Sequence, residues 1–473
     1  MKKYLRLFSF ITILTVGMVS CSEDFVHLEP NDQLSNATVF GNKKGITGAV
    51  NGAMAQLIDN GGWYRYALTL QGDALGGNLK TAANAGTSRW QSELVYNYTP
   101  SSSNLSLWSN AYSACAVINQ IIAKVEGVGD MTDEEKKQVK GQALFLRALA
   151  HFDLCKVFAQ PYSLNDSDIA KGANGDGGHL GVLISADEFL EDKPARSTLK
   201  ECYTQIINDL LEAEKLLSDE FEVFLPTKLA TEALLSRVYL YKNDFANSLT
   251  YSNKVIGNSA NRVLLDAASY IPSWVEDYSS ESILTAHVYK THPNFPGNGE
   301  TLFDLLEENG TYGDLSITND LYSLIGDDDV RKGLYYLDSR DAEVIRTSKY
   351  PSEESNVPIL RLSEIYLNKA EAEYHSNQTA ALTTLNTFRA KRGLSELSLS
   401  GVDLLNAIYA ERRIELCGEG HAIFDLVRTQ RDLVRVDFVD HANKDISYPS
   451  KLFVLPIPEE ELNGNPNCEQ NPF

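Results

Sequence analysis

The chain has 473 residues, 43% hydrophobic and 22% charged, ordinary proportions for a globular protein with a substantial core. Its 64 acidic residues against 42 basic ones leave a net charge of -22, a field that repels phosphate backbones and anionic polysaccharides, and no basic patch is visible along the sequence to offset it. Nucleic acid is therefore excluded as a partner, and six cysteines without a C-x-x-C pair argue against a zinc ribbon or thioredoxin-type centre.

At the start, Lys2 and Lys3 precede an apolar stretch from Leu7 that ends in Val19-Ser20-Cys21. This reads as a lipoprotein signal peptide over residues 1–20, with Cys21 cut, acylated and carrying the mature chain on a membrane leaflet. The stretch is shorter than the roughly 20 apolar residues needed to span, and no later run approaches that length, so the lipid is the expected membrane attachment. Residues 21–36 are polar and acidic and read as a flexible tether.

Helical spacing dominates the chain beyond residue 36, and the expected fold class is mainly α. Apolar residues recur at helical intervals over residues 111–125 and 133–158, and Thr198 with Glu201 three positions on forms a capping box for a helix over residues 199–217. Cys115, Cys155, Cys202 and Cys417 fall within such stretches and read as small core residues. Two segments read as helical hairpins resembling tetratricopeptide repeats. One places Ala230, Leu234 and Tyr241 before a turn at Asn243-Asp244 and Phe245, Leu249 and Ile256 after it; the other turns at Ser376-Asn377. Between residues 258 and 358, Gly, Asn, Asp, Pro and aromatics mix with little periodicity, and loop chemistry also marks residues 72–98 and 165–181. Long irregular segments on a helical scaffold are where function concentrates. The division expected is a single domain over residues 37–473, with an N-terminal half to 257, a variable middle to 358 and a closing block to 473.

Catalytic signatures are absent: there is no G-x-S-x-G, no H-E-x-x-H and no phosphate-cradling Gly-rich loop. His421 has no identifiable nucleophile beside it and reads as structural, and paired carboxylates are uninformative among 64 acidic residues. Asp166, Asp168 and Asp176 offer oxygen ligands that calcium would accept, but their spacing departs from the EF-hand pattern and a solvated loop is the favoured reading, with no metal or other cofactor expected. The loop aromatics carry more. Trp63, Tyr64, Trp90, Tyr96, Tyr98, Trp274, Tyr278, Tyr289, Phe295 and Tyr312 lie off any clear apolar stripe among Asn, Asp, Ser and Gly, the combination that stacks sugar rings and holds their hydroxyls.

The closing third sharpens this. Ile359-Leu360-Arg361-Leu362-Ser363-Glu364-Ile365-Tyr366, Phe388-Arg389-Ala390-Lys391-Arg392-Gly393, Glu411-Arg412-Arg413-Ile414-Glu415-Leu416, Glu419-Gly420-His421-Ala422-Ile423-Phe424-Asp425-Leu426-Val427-Arg428 and the ending Leu455-Pro456-Ile457-Pro458 resemble the SusD/RagB family of outer-membrane nutrient-binding lipoproteins, with earlier landmarks in matching order. Ala422 departs from it, standing where the family often has arginine. The charged residues of these blocks read as scaffold, pairing along their own helices: Glu411 to Glu415 among themselves, and Arg361 with Glu364 and Glu371.

The resemblance implies a SusD-like fold and a non-catalytic protein of the outer cell surface that captures glycans and delivers them to a SusC-like TonB-dependent transporter. It implies a ligand surface near Asp73, Asn78, Trp90, Trp274, Tyr278 and Tyr289, matched by order along the chain. A lipid-anchored glycoside hydrolase and an assembly protein without glycan binding are the alternative readings.

Overall fold

In the computed structural model, the described residues are 36–58, 63–101, 106–186, 193–288, 301–439 and 441–472. Cys21 and Tyr289 lie outside them. Helices α1 (Lys43–Ile58), α2 (Leu68–Leu75), α3 (Ser106–Lys124) and α4 (Asp133–Phe158) build the N-terminal part, a π-helical turn over Trp63–Ala67 leading into α2. Then come α5 (Leu199–Leu216), α6 (Lys228–Tyr241), α7 (Phe245–Gly257), α8 (Leu362–Tyr374), α9 (Gln378–Ala390), α10 (Gly401–Glu415) and α11 (Ala422–Arg428).

Several of these helices, α4, α5, α6, α7 and α9 among them, begin where a side chain satisfies backbone N–H groups that a first turn leaves open. Thr132 and Glu135 form a capping box on α4, and Thr198 and Glu201 form the one expected on α5. The hairpin turns are built the same way. Asn243 takes the left-handed conformation (φ 61) and Asp244 then caps α7 by accepting from Asn247 N at 3.2 Å; Asn377 caps α9 by accepting from Ala380 N at 3.1 Å.

Helices stack in chain order, α3 on α4, α4 on α5, α5 on α6 and α6 on α7, and α7 then packs against α8 and so joins the two hairpins. Each hairpin alone would leave an apolar face in water, which is why the units stack. Across the α6–α7–α8 junction runs a buried polar chain: the Ser236 and Ser252 hydroxyls lie 2.8 Å apart, Asn368 Nδ2 donates to Ser236 Oγ at 3.2 Å, and Arg412 Nη1 donates to Asn368 Oδ1 at 2.6 Å. One apolar core runs from Phe40 to Cys468, and the five described cysteines are free and buried within the fold.

The middle of the chain holds strands that periodicity does not announce. Four form a sheet in the order β1 (Leu79–Thr81), β3 (Leu315–Ile317), β5 (Asp341–Thr347), β4 (Tyr335–Asp338), and β2 (Ser282–Ala286) pairs antiparallel with β6 (Val357–Arg361). Every residue of β2 and of β3 is buried, so neither shows the inside-outside alternation that identifies a strand. Pairing of Leu79 with Ile317 and Thr81 with Leu315 ties the N-terminal part directly to the middle.

Candidate ligand-binding site

The strands and the loops between them bring Trp274 and Tyr278 to one cleft. Its volume is about 240 Å³, and Glu276, Asp277, Ser352 and Asn356 stand with them in its walls. The two aromatics differ in what they leave open. Trp274, in a 3₁₀ turn opened by Pro272, lies half-buried with Lys349 Nζ 4.6 Å and the Arg361 guanidinium 5.8 Å from its ring centre, and Tyr270 and Tyr350 meet it edge-on at 6.2 Å. Tyr278 is 44% exposed. Its ring meets Phe224 edge-on at 5.6 Å, and Phe224 lies 4.7 Å from His287, so three rings from three segments form one aromatic surface beside the cleft.

Beneath Trp274 sits a buried ionic network. Lys349 Nζ donates to Glu419 Oε1 at 2.8 Å and to the carbonyls of Glu415 and Cys417, and Arg361 donates to Glu415 Oε1 at 2.6 Å and Glu419 Oε2 at 2.7 Å. Arg392 and Arg331 reach Glu415 from the other side, at 2.9 and 3.3 Å. Burial by itself would raise the Glu415 pKa, but Arg392, Arg361 and Arg331 outweigh it and hold the carboxyl well below its ordinary range. The pairing expected along single helices is thus replaced by pairing across the fold: Glu364 holds Arg237, Glu371 holds Arg428, Glu411 holds Arg331 and Arg389, and Arg412 holds Asp425. Deep burial explains the change, because a charge removed from water needs the nearest opposite charge in three dimensions.

Trp90 is not among the residues that line this cleft. The loop after β1 is fastened to the one before β3, with Ala82 N donating to the Asp314 carbonyl at 2.9 Å and Thr87 N to Asp314 Oδ1 at 3.2 Å. On it the Arg89 guanidinium stacks 3.6 Å above the Tyr312 ring, and Trp90 follows, half-buried, with a left-handed φ of 62. That conformation is uncommon for a residue other than glycine, Asn or Asp.

Asp73 and Asn78 correct the expectation made for them: they are 0% and 1% exposed and do not line the aromatic cleft. Helix α2 approaches the corner at Gly420 so closely that a Cβ on Gly72 would lie 2.2 Å from the Gly420 carbonyl, and Gly420 itself has φ +81. At this contact Gly420 N donates to Asp73 Oδ2 at 2.8 Å, Asn78 Nδ2 donates to Asp73 Oδ1 at 2.6 Å, and Arg413 Nε donates to Asn78 Oδ1 at 2.8 Å. Burial pushes the Asp73 carboxyl up to about 6, opposed by those hydrogen bonds. His421 is held neutral by burial, near 3. Asp176 pairs with Lys200 at 2.8 Å, and Asp166 accepts from the Asp168 backbone N–H, so the three carboxylates of the 165–181 loop do not converge. Phe224 and His287 escaped the sequence reading, although the apolar run Val223-Phe224-Leu225 ahead of Pro226 was a signal.

Residues 27–240 match the SusD-like_3 family, described as "Starch-binding associating with outer membrane", and residues 304–473 match the SusD_RagB family, described as "SusD family". A protein of known structure from Bacteroides vulgatus ATCC 8482 is 31% identical, covers 92% of this chain and 99% of its own, and superposes with a TM-score of 0.81. The chain belongs to the SusD family. A curated SusD-like protein of Formosa agariphila is 23% identical over all of this chain and 99% of its own length. A laminarin-binding SusD-like protein, 21% identical, shares the SusD fold at a TM-score of 0.72, with coverage of 91% and 99%. Among the described residues no helix is long and apolar enough to cross a membrane.

Proposed function

We propose that this SusD-family protein is a glycan-binding lipoprotein of the outer cell surface, held by an acylated Cys21, that captures oligosaccharide and passes it to a SusC-like TonB-dependent transporter. The observation that carries this reading is the aromatic surface of Tyr278, Phe224 and His287 beside a cleft edged by Glu276, Asp277 and Asn356. Sugar rings stack their C–H faces on aromatic planes, and carboxylate and amide groups at the edge accept from and donate to the hydroxyls. Membership of a family described by starch binding and outer-membrane association supports both the ligand class and the location. The fold is one on which a laminarin-binding protein is also built. Trp90, outside the cleft, and Tyr289 are proposed as further contacts to the same ligand.

The test is calorimetric titration with oligosaccharides from starch and from laminarin, together with an assay for new reducing ends. Saturable binding without cleavage is expected, weakened about tenfold or more in Tyr278→Ala or Trp90→Ala, the scale of an interface anchor. Binding that survives both substitutions unchanged places the ligand elsewhere; new reducing ends make the protein a hydrolase.

A further inference from the structure

In a chain of net charge -22, one cavity is lined by three guanidiniums. It lies apart from the aromatic cleft, where the end of α2, α10 and the segment after α11 meet, and encloses about 160 Å³ between Arg412, Arg413, His421, Ala422 and Arg431. Only the fold assembles it.

Two of the three arginines are held by the protein. Arg412 donates to Asp425 and to Asn368, while Arg413 donates through Nε to Asn78 and through Nη2 to the Gly77 carbonyl and Asp320. Arg431 is not. Its Nε donates to Thr429 Oγ1 at 2.8 Å and its guanidinium sits 4.4 Å from the Tyr409 ring centre, but among the described residues its Nη groups make no hydrogen bond and it forms no ion pair. The carboxylates on the same cavity are engaged: Asp425 is shared by Arg412 and Arg428, and Asp432 Oδ1 accepts from Tyr448 N at 2.7 Å. The ring nitrogens of His421 make no hydrogen bond among the described residues either, and as a neutral imidazole His421 offers one N–H to the cavity.

A partly buried guanidinium without a direct ion pair is costly, and burial disfavours the charge on Arg431 more than the nearby Asp425 and Glu371 favour it. A planar fork of two free N–H₂ groups fits a carboxylate, sulfate or phosphate oxygen pair. The cavity is smaller than the aromatic cleft, and its walls present guanidiniums where the cleft presents open aromatic faces, which suits an ion or a single acid group. We propose that this cavity binds one small oxyanion on the two Nη groups of Arg431, with Arg413 Nη1 and His421 completing the shell. The anion is either a free inorganic ion or the carboxylate of an acid monosaccharide, and the chemistry of recognition is the same.

The experiment is calorimetric titration of the mature chain, at constant ionic strength with chloride as the blank, using sodium sulfate, sodium phosphate and sodium glucuronate. One saturable site is expected for at least one of them. Arg431→Gln should weaken it at least about tenfold, as befits a bidentate charged contact. Ala422→Leu, which fills the cavity and leaves every guanidinium in place, should abolish it. Circular dichroism and thermal melting establish that each variant is folded, and if one is not, the other decides. Competition between glucuronate and sulfate assigns the site to an acid sugar, whereas binding of inorganic ions alone assigns it to a free ion. No saturation with any of the three, or equal affinity in wild type and a folded variant, overturns the proposal. Because no glycan oligomer is used, the outcome is independent of the aromatic cleft.

Discussion

Trp274 and Tyr278 stand four positions apart and look alike as sequence, yet the first covers a buried lysine and arginine and the second offers its ring to solvent. Residue type names candidates; burial sorts them. Asp73 shows the same separation with a measurable consequence. Its carboxyl is raised from 3.8 to about 6 in the folded protein, first by burial, so the native state binds the proton more tightly than the unfolded chain. The stability it contributes is therefore present below pH 4 and lost as the pH rises through 6, by up to about 3 kcal/mol for a shift of this size. Asp73→Asn removes that titration, so its stability relative to wild type is expected to improve by that order between pH 4 and pH 7. Urea denaturation of both proteins across the range checks it; a constant difference rejects the assignment. Glu415 and Glu419, lowered by their cationic neighbours, act in the opposite sense, but they act equally in both proteins and cancel.

Helices α3 to α9 were legible because each has a local signature, whereas α2 ends inside a segment that reads as loop. The capping box of Thr198 and Glu201 is readable from two letters, and the structure closes it, Thr198 N donating to Glu201 Oε2 at 2.8 Å and Glu201 N to Thr198 Oγ1 at 3.3 Å. Thr198→Ala is expected to cost about 1 kcal/mol of unfolding free energy. Thr250→Ala, on an exposed face where the hydroxyl bonds only to its own helix, should change stability by less than about 0.5 kcal/mol. Equal losses in the two would mean that the cap contributes nothing specific. Strands β2 and β3 were not legible, since three to five residues buried on both faces leave neither period nor contrast to read. Nor was the aromatic surface, because Phe224, Tyr278 and His287 come from separate segments, the first joined to β2 by Thr285 N donating to the Val223 carbonyl at 2.9 Å.

The molecule as a whole is held by contacts that ignore chain order. Leu79–Thr81 finds its partner beyond residue 314, α2 packs on the Gly420 corner, and α7 packs on α8 across more than a hundred residues. A chain ending at Gly257 keeps α1 to α7 but loses the partner of β1, the Gly420 donor to Asp73 and the cover of α7. It is expected to show no cooperative thermal transition where the longer chain shows one, by circular dichroism or calorimetry; a sharp melt would mean that the N-terminal helices form an independent unit.

What the sequence determined alone is local or compositional: the helices, their caps and turns, the acidic charge, and the blocks that mark a SusD-family chain. The first three come from spacing, capping chemistry and counts and the last from resemblance to known sequences, none of which needs a partner. Tertiary structure alone decided which acid meets which base, which aromatics face outward, and where an acidic chain gathers three arginines around one small cavity. Such properties belong to pairs of distant segments, and a pairwise energy exists only once the fold has brought the pair together.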